Sequence, residues 1–169
     1  VEEALADDAP IVHEHWNTSE DPQVSGNIAC HEQYRLGDIE KGFAKAEQIF
    51  EQEYTTKRVH QGYIEPHSAT AWWTPEDKVT IWCSSQGHFQ IRDNTARIIG
   101  TAVSKVKVIP MEIGGGFGGK LYAYLEPIAA VLAKKSSAPV KLTMSRTEVF
   151  ESTGPAGGSK VIIKMGVDK

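Results

Sequence analysis

The sequence predicts an α/β (α+β) fold, a mixed β-sheet with packed helices. Apolar runs of strand character alternate with helical stripes through the second half of the chain, the pattern of layered sheet and helix. With 40 % hydrophobic and 24 % charged residues, the chain has enough apolar material for a real core. Between a strand pattern and a helical one lies GGGFGG, residues 114–119, five glycines in six residues. A loop with that much backbone freedom usually serves a close approach to something.

The elements follow in order. Residues 1–12 open with a short apolar stretch, and 13–37 are rich in polar and turn residues. The expectation is therefore an irregular connecting segment over 1–37 and an organised region over 38–169. Asp38 suits an N-cap, with Ile39, Phe43, Ala46 and Phe50 at helical spacing behind it. IFEQEYTTKRVHQ (49–61) then has strand character. SATAWWT (68–74) and KVTIWCSSQ (78–86) are two further strands joined by a turn at PEDK. GHFQIRDNTARIIG (87–100) carries a helical stripe of Phe89, Ile91, Ala96 and Ile99, and Gly100 suits its C-cap. SKVKVIPM is a strand leading into the glycine loop. YAYLEPIAAVLAKKS reads as a helix kinked or restarted at Pro127. PVKLTMS is a strand, RTEVFEST a helical turn, and GPAGGS a loop into a final alternating run, KVIIKMGVD, with no evident partner. That run, and a start at Val1, suggest a piece of a larger chain.

Charge and composition exclude several classes. The net charge is −4 and no Lys/Arg stripe is present, which argues against a nucleic-acid partner. No apolar run approaches the roughly 18 residues of a membrane span, and no signal peptide opens the sequence. A cytoplasmic, reducing setting follows, with Cys83 a buried thiol inside a strand pattern. Cys30-His31 lacks a second Cys/His cluster to complete a zinc site. His13 and His15 around Glu14 read as a solvated loop pair, and Asn17-Thr18-Ser19 as a glycosylation pattern without consequence in that setting. Glu112, Glu126 and Glu148 read as helix ends and solvated faces. His60, His67 and His88 read as structural imidazoles, with His88 close enough to Gln86 in sequence to support it.

The glycine loop fits two phosphate-binding patterns. Gly114, Gly116 and Gly119 spell the G-x-G-x-x-G of a dinucleotide turn, and Ser145-Arg146, at the end of the next strand, suits the phosphate of NADP. An NADP-binding Rossmann-like module is thus the alternative reading, although it leaves 85–100 without a role. Gly114 to Lys120 also spells G-x-x-x-x-G-K, but Leu121 replaces the hydroxyl that would ligate magnesium.

Taken together, SSQGHFQIRDNTARIIG and KVKVIPMEIGGGFGGK, with GDIEKGFAKAEQIFEQEYTTKRVHQGYIEPHSATAWW upstream, resemble the large, molybdopterin-binding subunit of the xanthine oxidase family of molybdenum hydroxylases. That family includes xanthine dehydrogenases, aldehyde oxidoreductases, hydroxybenzoyl-CoA reductase and aerobic carbon monoxide dehydrogenase. The likeness rests on a Ser/Thr-Gln before a helix and a G-G-G-F-G-G loop at a fixed distance; here Gln86 and Phe117 are 31 positions apart.

The resemblance implies that residues 38–169 are a fragment of a molybdopterin-binding domain. Gln86 would donate its amide N–H to an oxo ligand of the metal, and the backbone at Gly116, Phe117 and Gly118 would face the cofactor, helped by the dipole of a following helix. The cofactor would be molybdenum-molybdopterin or its cytosine dinucleotide form. Iron–sulfur clusters and FAD would sit on partner domains or subunits, beside the remainder of the large subunit. The implied reaction is oxidative hydroxylation with water as the oxygen source. The family's glutamate base lies late in the large subunit, so no catalytic residue is expected in this chain and the isolated piece is expected to be inactive. Leu121 stands where purine hydroxylases continue with a glutamate. It therefore points to an aldehyde, an N-heterocycle or a related small substrate rather than a purine. Glu65, in GYIEPH, is expected to make a salt bridge or hydrogen bond.

Overall fold

The computed structural model describes residues 2–12 and 26–168; the His13/His15 pair and Asn17–Ser19 lie outside the described residues. The elements are α1 Ile39–Lys45, β1 Gln48–Thr56, β2 Ser68–Trp73, β3 Val79–Ser84, α2 His88–Ile99, β4 Val106–Met111, α3 Glu126–Ser136, β5 Val140–Thr143, α4 Arg146–Ser152 and β6 Ser159–Val167. The fold is α+β, as the alternation of elements predicts. The chain forms two compact units, one of Val1–Thr56 with Ser159–Lys169 and the other of Lys57–Gly158.

In the first unit Asp38 caps α1, its Oδ1 accepting the Lys41 N–H at 3.0 Å. The helix stops at Lys45, so Phe50 belongs to a strand and not to the helical stripe. The reason is tertiary. β1 pairs antiparallel with β6 along its whole length, from Gln48↔Val167 to Thr56↔Ser159, and the aromatic and β-branched residues of 48–56 favour that pairing. The final run therefore has its partner inside this chain. Phe50 stands opposite Met165, and Glu51 opposite Lys164 at 3.4 Å. Gly166 lets α1 lie against β6, since a Cβ there would come within 2.8 Å of Ala46 Cβ.

The second unit is a four-stranded mixed sheet in the order β4-β3-β2-β5. β2 and β3 form an antiparallel hairpin closed at Thr74, whose N–H donates to Lys78 O at 2.7 Å. β3 and β4 run parallel, joined by α2, whose end is capped by Gly100 at φ 69. α2 and α3 supply Ile91, Ala96, Ala129, Ala130 and Ala133 to a core with Ala69, Ala71, Val79, Ile81 and Cys83 of the sheet. The alanines allow α3 to approach closely enough for Trp73 Nε1 to donate to Ala130 O at 2.7 Å. α3 starts at Glu126 with Pro127 in its first turn. There the missing N–H would have no helical partner in any case, so the proline marks the start and not a kink, and residues 122–125 are irregular. α4 opens with a capping box: Ser145 Oγ accepts the Glu148 N–H and Glu148 Oε2 accepts the Ser145 N–H.

Glu126 corrects a second expectation. It is buried, 3 % exposed, and not on a solvated face. Its carboxylate accepts the Tyr124 N–H at 2.8 Å, and burial raises its pKa. Cys83, free and buried, is pushed up to about 12 by burial and then by the nearby Glu126. Such a thiol is inert packing material.

Ile81 is fully buried at the centre of this core. Ile81→Ala is expected to lower stability by about 2–5 kcal/mol, read as a drop in urea midpoint with an unchanged slope.

Candidate functional site

Parallel pairing of β3 and β4 brings the two sequence motifs together. Ser84 and Met111 are register partners at the ends of these strands, so Gln86 and the glycine loop leave the sheet at the same end. Gln86 Oε1 accepts the Gly118 N–H at 3.0 Å and the Lys120 N–H at 3.2 Å, and Gln86 N–H donates to Lys120 O at 2.9 Å. A carbonyl oxygen that holds two N–H donors has both lone pairs engaged. That fixes the orientation of the amide, and the Gln86 Nε2 donors have no protein acceptor among the described residues. Gln86 is exposed.

The glycines have individual reasons. A Cβ on Gly116 would fall 2.4 Å from Gln86 Oε1, so only glycine admits the glutamine. Gly115 and Gly118 have φ of 94 and 89, angles that side chains resist. Phe117 adopts φ 51 without being glycine, and its residue is 74 % exposed, a combination of strain and exposure found at functional loops. Gly119 N–H donates to Gly116 O at 2.8 Å and closes the turn. The N–H groups of Gly115, Gly116 and Phe117 have no protein acceptor among the described residues, whereas that of Gly118 is turned to Gln86.

Beneath the loop lies a polar support. Lys120 is fully buried, its Nζ 2.7 Å from Glu65 Oε2, 3.5 Å from Ser84 Oγ and 4.9 Å from the centroid of the Tyr63 ring. Glu65 Oε2 also accepts the Gly114 N–H at 2.7 Å, and Glu65 N–H donates to Gly114 O. Burial alone would raise the Glu65 carboxyl, but Lys120 and the Gly114 N–H together hold it below its ordinary value. Tyr63 forms the floor: a Cβ on Gly119 would fall 2.6 Å from its ring. Its hydroxyl lies 2.6 Å from His67 Nε2 and 3.2 Å from Thr153 Oγ1, which lies 2.8 Å from His60 Nε2. Arg146 donates to the carbonyls of Tyr63 and Ile64. Gln61 reaches the same place, its Cδ 3.3 Å from the Gly119 Cβ position, and its buried Oε1 has no hydrogen-bond partner among the described residues.

These contacts overturn both nucleotide readings. In the sheet order β5 lies at the opposite edge from β4, so β4–α3–β5 is not the adjacent parallel crossover of a dinucleotide fold. Arg146 is committed to two carbonyls of the 63–64 segment. Lys120 is sealed under the loop, where no phosphate reaches it. α3 begins at Glu126, beyond the residues that follow the loop, so the expected contribution of a helix dipole to the loop does not arise.

Other candidates lie as follows. Leu121 is half-buried beside the residue after Gln86, its Cδ2 3.4 Å from the Gly87 Cβ position. His88 packs its ring 4.3 Å from that of Phe89, with no hydrogen bond to Gln86 among the described residues. Cys30 donates to Glu32 at 3.3 Å, and no group of three or more His, Cys, Asp or Glu able to hold a metal forms among the described residues. Glu65 makes the salt bridge its context suggested. Sequence reasoning misses Lys120 and Arg146 as parts of the support, because their partners are far away along the chain.

Residues 20–169 match the family model of the molybdopterin cofactor-binding domain. The chain belongs to this family. It is 32 % identical over 169 residues to a probable xanthine dehydrogenase subunit of Bacillus subtilis (strain 168), covering 99 % of the chain and 21 % of the relative. It is 30 % identical over 150 residues to the nicotinate dehydrogenase large molybdopterin subunit of Eubacterium barkeri, covering 88 % and 32 %. Aldehyde oxidoreductase from Desulfovibrio gigas superposes with a TM-score of 0.72 at 25 % identity, over 96 % of this chain and 17 % of that one. The chain thus spans a third or less of each of these proteins. Among the described residues, no helix is long and apolar enough to cross a membrane.

The donor set suits this family's cofactor, whose pterin dithiolene and metal oxygens are acceptors. It offers an uncharged amide with both N–H groups free and loop N–H groups without a protein acceptor among the described residues; the buried Gln61 Oε1 is an acceptor and suits a donor instead. The support beneath it has a pH signature. His67 is pushed down to about 4 by burial and then by the Lys120 charge, with His60 acting the same way and Glu65 opposing. Between its ordinary 6.5 and about 4 the unfolded chain takes up a proton that the folded chain does not. Stability is therefore full above that window and falls as pH drops through it. His67→Gln is expected to flatten this part of the stability–pH curve, measured by urea unfolding.

Proposed function

We propose that this chain is part of the catalytic subunit of a molybdenum-dependent hydroxylase, and that Gln86 and the loop at Gly116, Phe117 and Gly118 hold its molybdopterin cofactor. The observation that carries this reading is the Gln86 amide, its oxygen tied by two loop N–H groups and its nitrogen left with free donors. Bound there, the cofactor, as molybdopterin or its cytosine dinucleotide, would supply two-electron oxidation with oxygen drawn from water. Gln86 would donate to an acceptor oxygen of the cofactor without adding charge. The N–H groups of Gly115 to Phe117 would receive anionic parts of the cofactor, and the exposed Phe117 ring would wall the site from solvent. No residue of this chain is assigned as general base, so the fragment alone is inactive.

Residues 38–169 would form the cofactor-binding portion, with 1–37 leading into it. The remainder of the large subunit would complete the site, and iron–sulfur and flavin domains or subunits would take the electrons, all in the cytoplasm. The relatives' names span purine, nicotinate and aldehyde chemistry, so residue 121 becomes the discriminating position. An apolar Leu121 cannot make the hydrogen bond that a glutamate there would give a purine, which favours an aldehyde, a small N-heterocycle or a related small substrate over a purine.

The full-length protein, purified from a host that makes the cofactor, is expected to contain stoichiometric molybdenum and pterin; a folded protein with neither overturns the reading. Gln86→Ala is expected to keep the metal and lose roughly 10- to 100-fold in kcat. Assayed side by side, aldehydes are expected to outrun xanthine, and Leu121→Glu to narrow the gap. Xanthine as the preferred substrate of the unaltered enzyme would refute the role of Leu121.

A further inference from the structure

We infer that the Lys120–Glu65 pair is a positioning device that holds the Gln86 amide donor-side out. The inference rests on the reading of Gln86 as a cofactor donor. Lys120 brackets Gln86 with its own backbone, its N–H reaching Gln86 Oε1 and its carbonyl accepting the Gln86 N–H. Its side chain runs the other way, fully buried, to Glu65 Oε2 at 2.7 Å. That same oxygen accepts the Gly114 N–H, also at 2.7 Å. One carboxylate oxygen therefore ties the first residue of the loop to the residue just past its last glycine, and fixes the span of the loop between them.

A buried ion pair is weak evidence of stability, because desolvation offsets its attraction; what it does well is fix one arrangement. The arrangement here decides which face of an amide is presented. With Lys120 anchored, Oε1 has two donors, and Nε2 has no protein acceptor among the described residues. With Lys120 released, Oε1 loses one of its donors and the amide can turn over. It would then offer a carbonyl oxygen to an acceptor oxygen of the cofactor, a repulsion in place of a hydrogen bond. Neither side chain touches the cofactor in this scheme; both act through Gln86.

The test uses the full-length holoenzyme with Lys120→Met, which keeps the length of the side chain and drops its charge, beside Gln86→Ala and the double variant. Molybdenum content, the Mo(V) electron paramagnetic resonance spectrum, kcat and KM are measured for each. Lys120→Met is expected to retain molybdenum, to move the Mo(V) spectrum as Gln86→Ala does, and to lose roughly 10- to 100-fold in kcat with little change in KM. The double variant is expected to be no worse than Gln86→Ala alone, since both changes remove one interaction. Lys120→Arg is expected to restore the spectrum in part. An unchanged spectrum in Lys120→Met beside an altered one in Gln86→Ala overturns the positioning role while leaving the Gln86 reading intact. So do losses that simply multiply in the double variant. A silent Gln86→Ala overturns the Gln86 reading, and this inference with it. If Lys120→Met fails to load the metal, Glu65→Gln carries the same comparison, because its amide oxygen still accepts from Gly114 while the ion pair is gone.

Discussion

A fully buried ammonium has to be neutralised where it lies, and that requirement at Lys120 organises the surroundings of the glycine loop. Glu65 answers it, and to do so the 63–65 segment must lie directly under the loop. Tyr63 then becomes the floor against which Gly119 packs, and Arg146 holds the carbonyls of Tyr63 and Ile64 from the far side. Three stretches widely separated in sequence are thus tied to one charge. None of them belongs to a strand of the sheet, so the sheet supplies the common exit of Gln86 and the loop while the ion pair supplies the detail.

The two sides of the unit divide the physical work. The core side is small and apolar, alanines and branched residues between helices and sheet, with one acid, Glu126, kept beside a thiol. The loop side is made of backbone donors and acceptors, most of them satisfied by one another. What lacks a protein partner there, among the described residues, is outward-facing amide donors at Gln86 and the loop, and one buried acceptor, the Gln61 oxygen, below. Outward donors on a strained, glycine-dense turn are free to meet acceptors from outside the chain.

Much of this is legible in the sequence, for reasons that differ by element. α2 announces itself through a stripe and a capping glycine, both local. The stripes overestimate α1 and α3 because apolar residues at helical spacing continue past Lys45 and precede Glu126; only the pairing of β1 with β6, and Pro127 used as a starting residue, reveal where the helices end. Gln86 and the glycine loop are recognisable together because their separation is fixed by a single β-α-β connection. Lys120 is invisible as a structural residue. Its partner is 55 positions away, and a lysine after glycines looks the same in sequence whether it reaches for a phosphate or for a carboxylate. The burial of Glu126 is likewise hidden, since an acid in the first turn of a helix is commonplace at the surface.

The β1–β6 ribbon sets an order of assembly. Its strands are the two ends of a long excursion, so pairing Thr56 with Ser159 closes a loop of the whole intervening chain. For a free chain, closing a loop of roughly 100 residues costs about 4 kcal/mol in entropy, more than a lone two-stranded ribbon returns. The bridge between Val59 and Ala156 removes that obstacle, since it leaves the ends of the folded second unit side by side. The ribbon is accordingly expected to zip late, from Thr56 and Ser159 outward, after Val59 and Ala156 have paired.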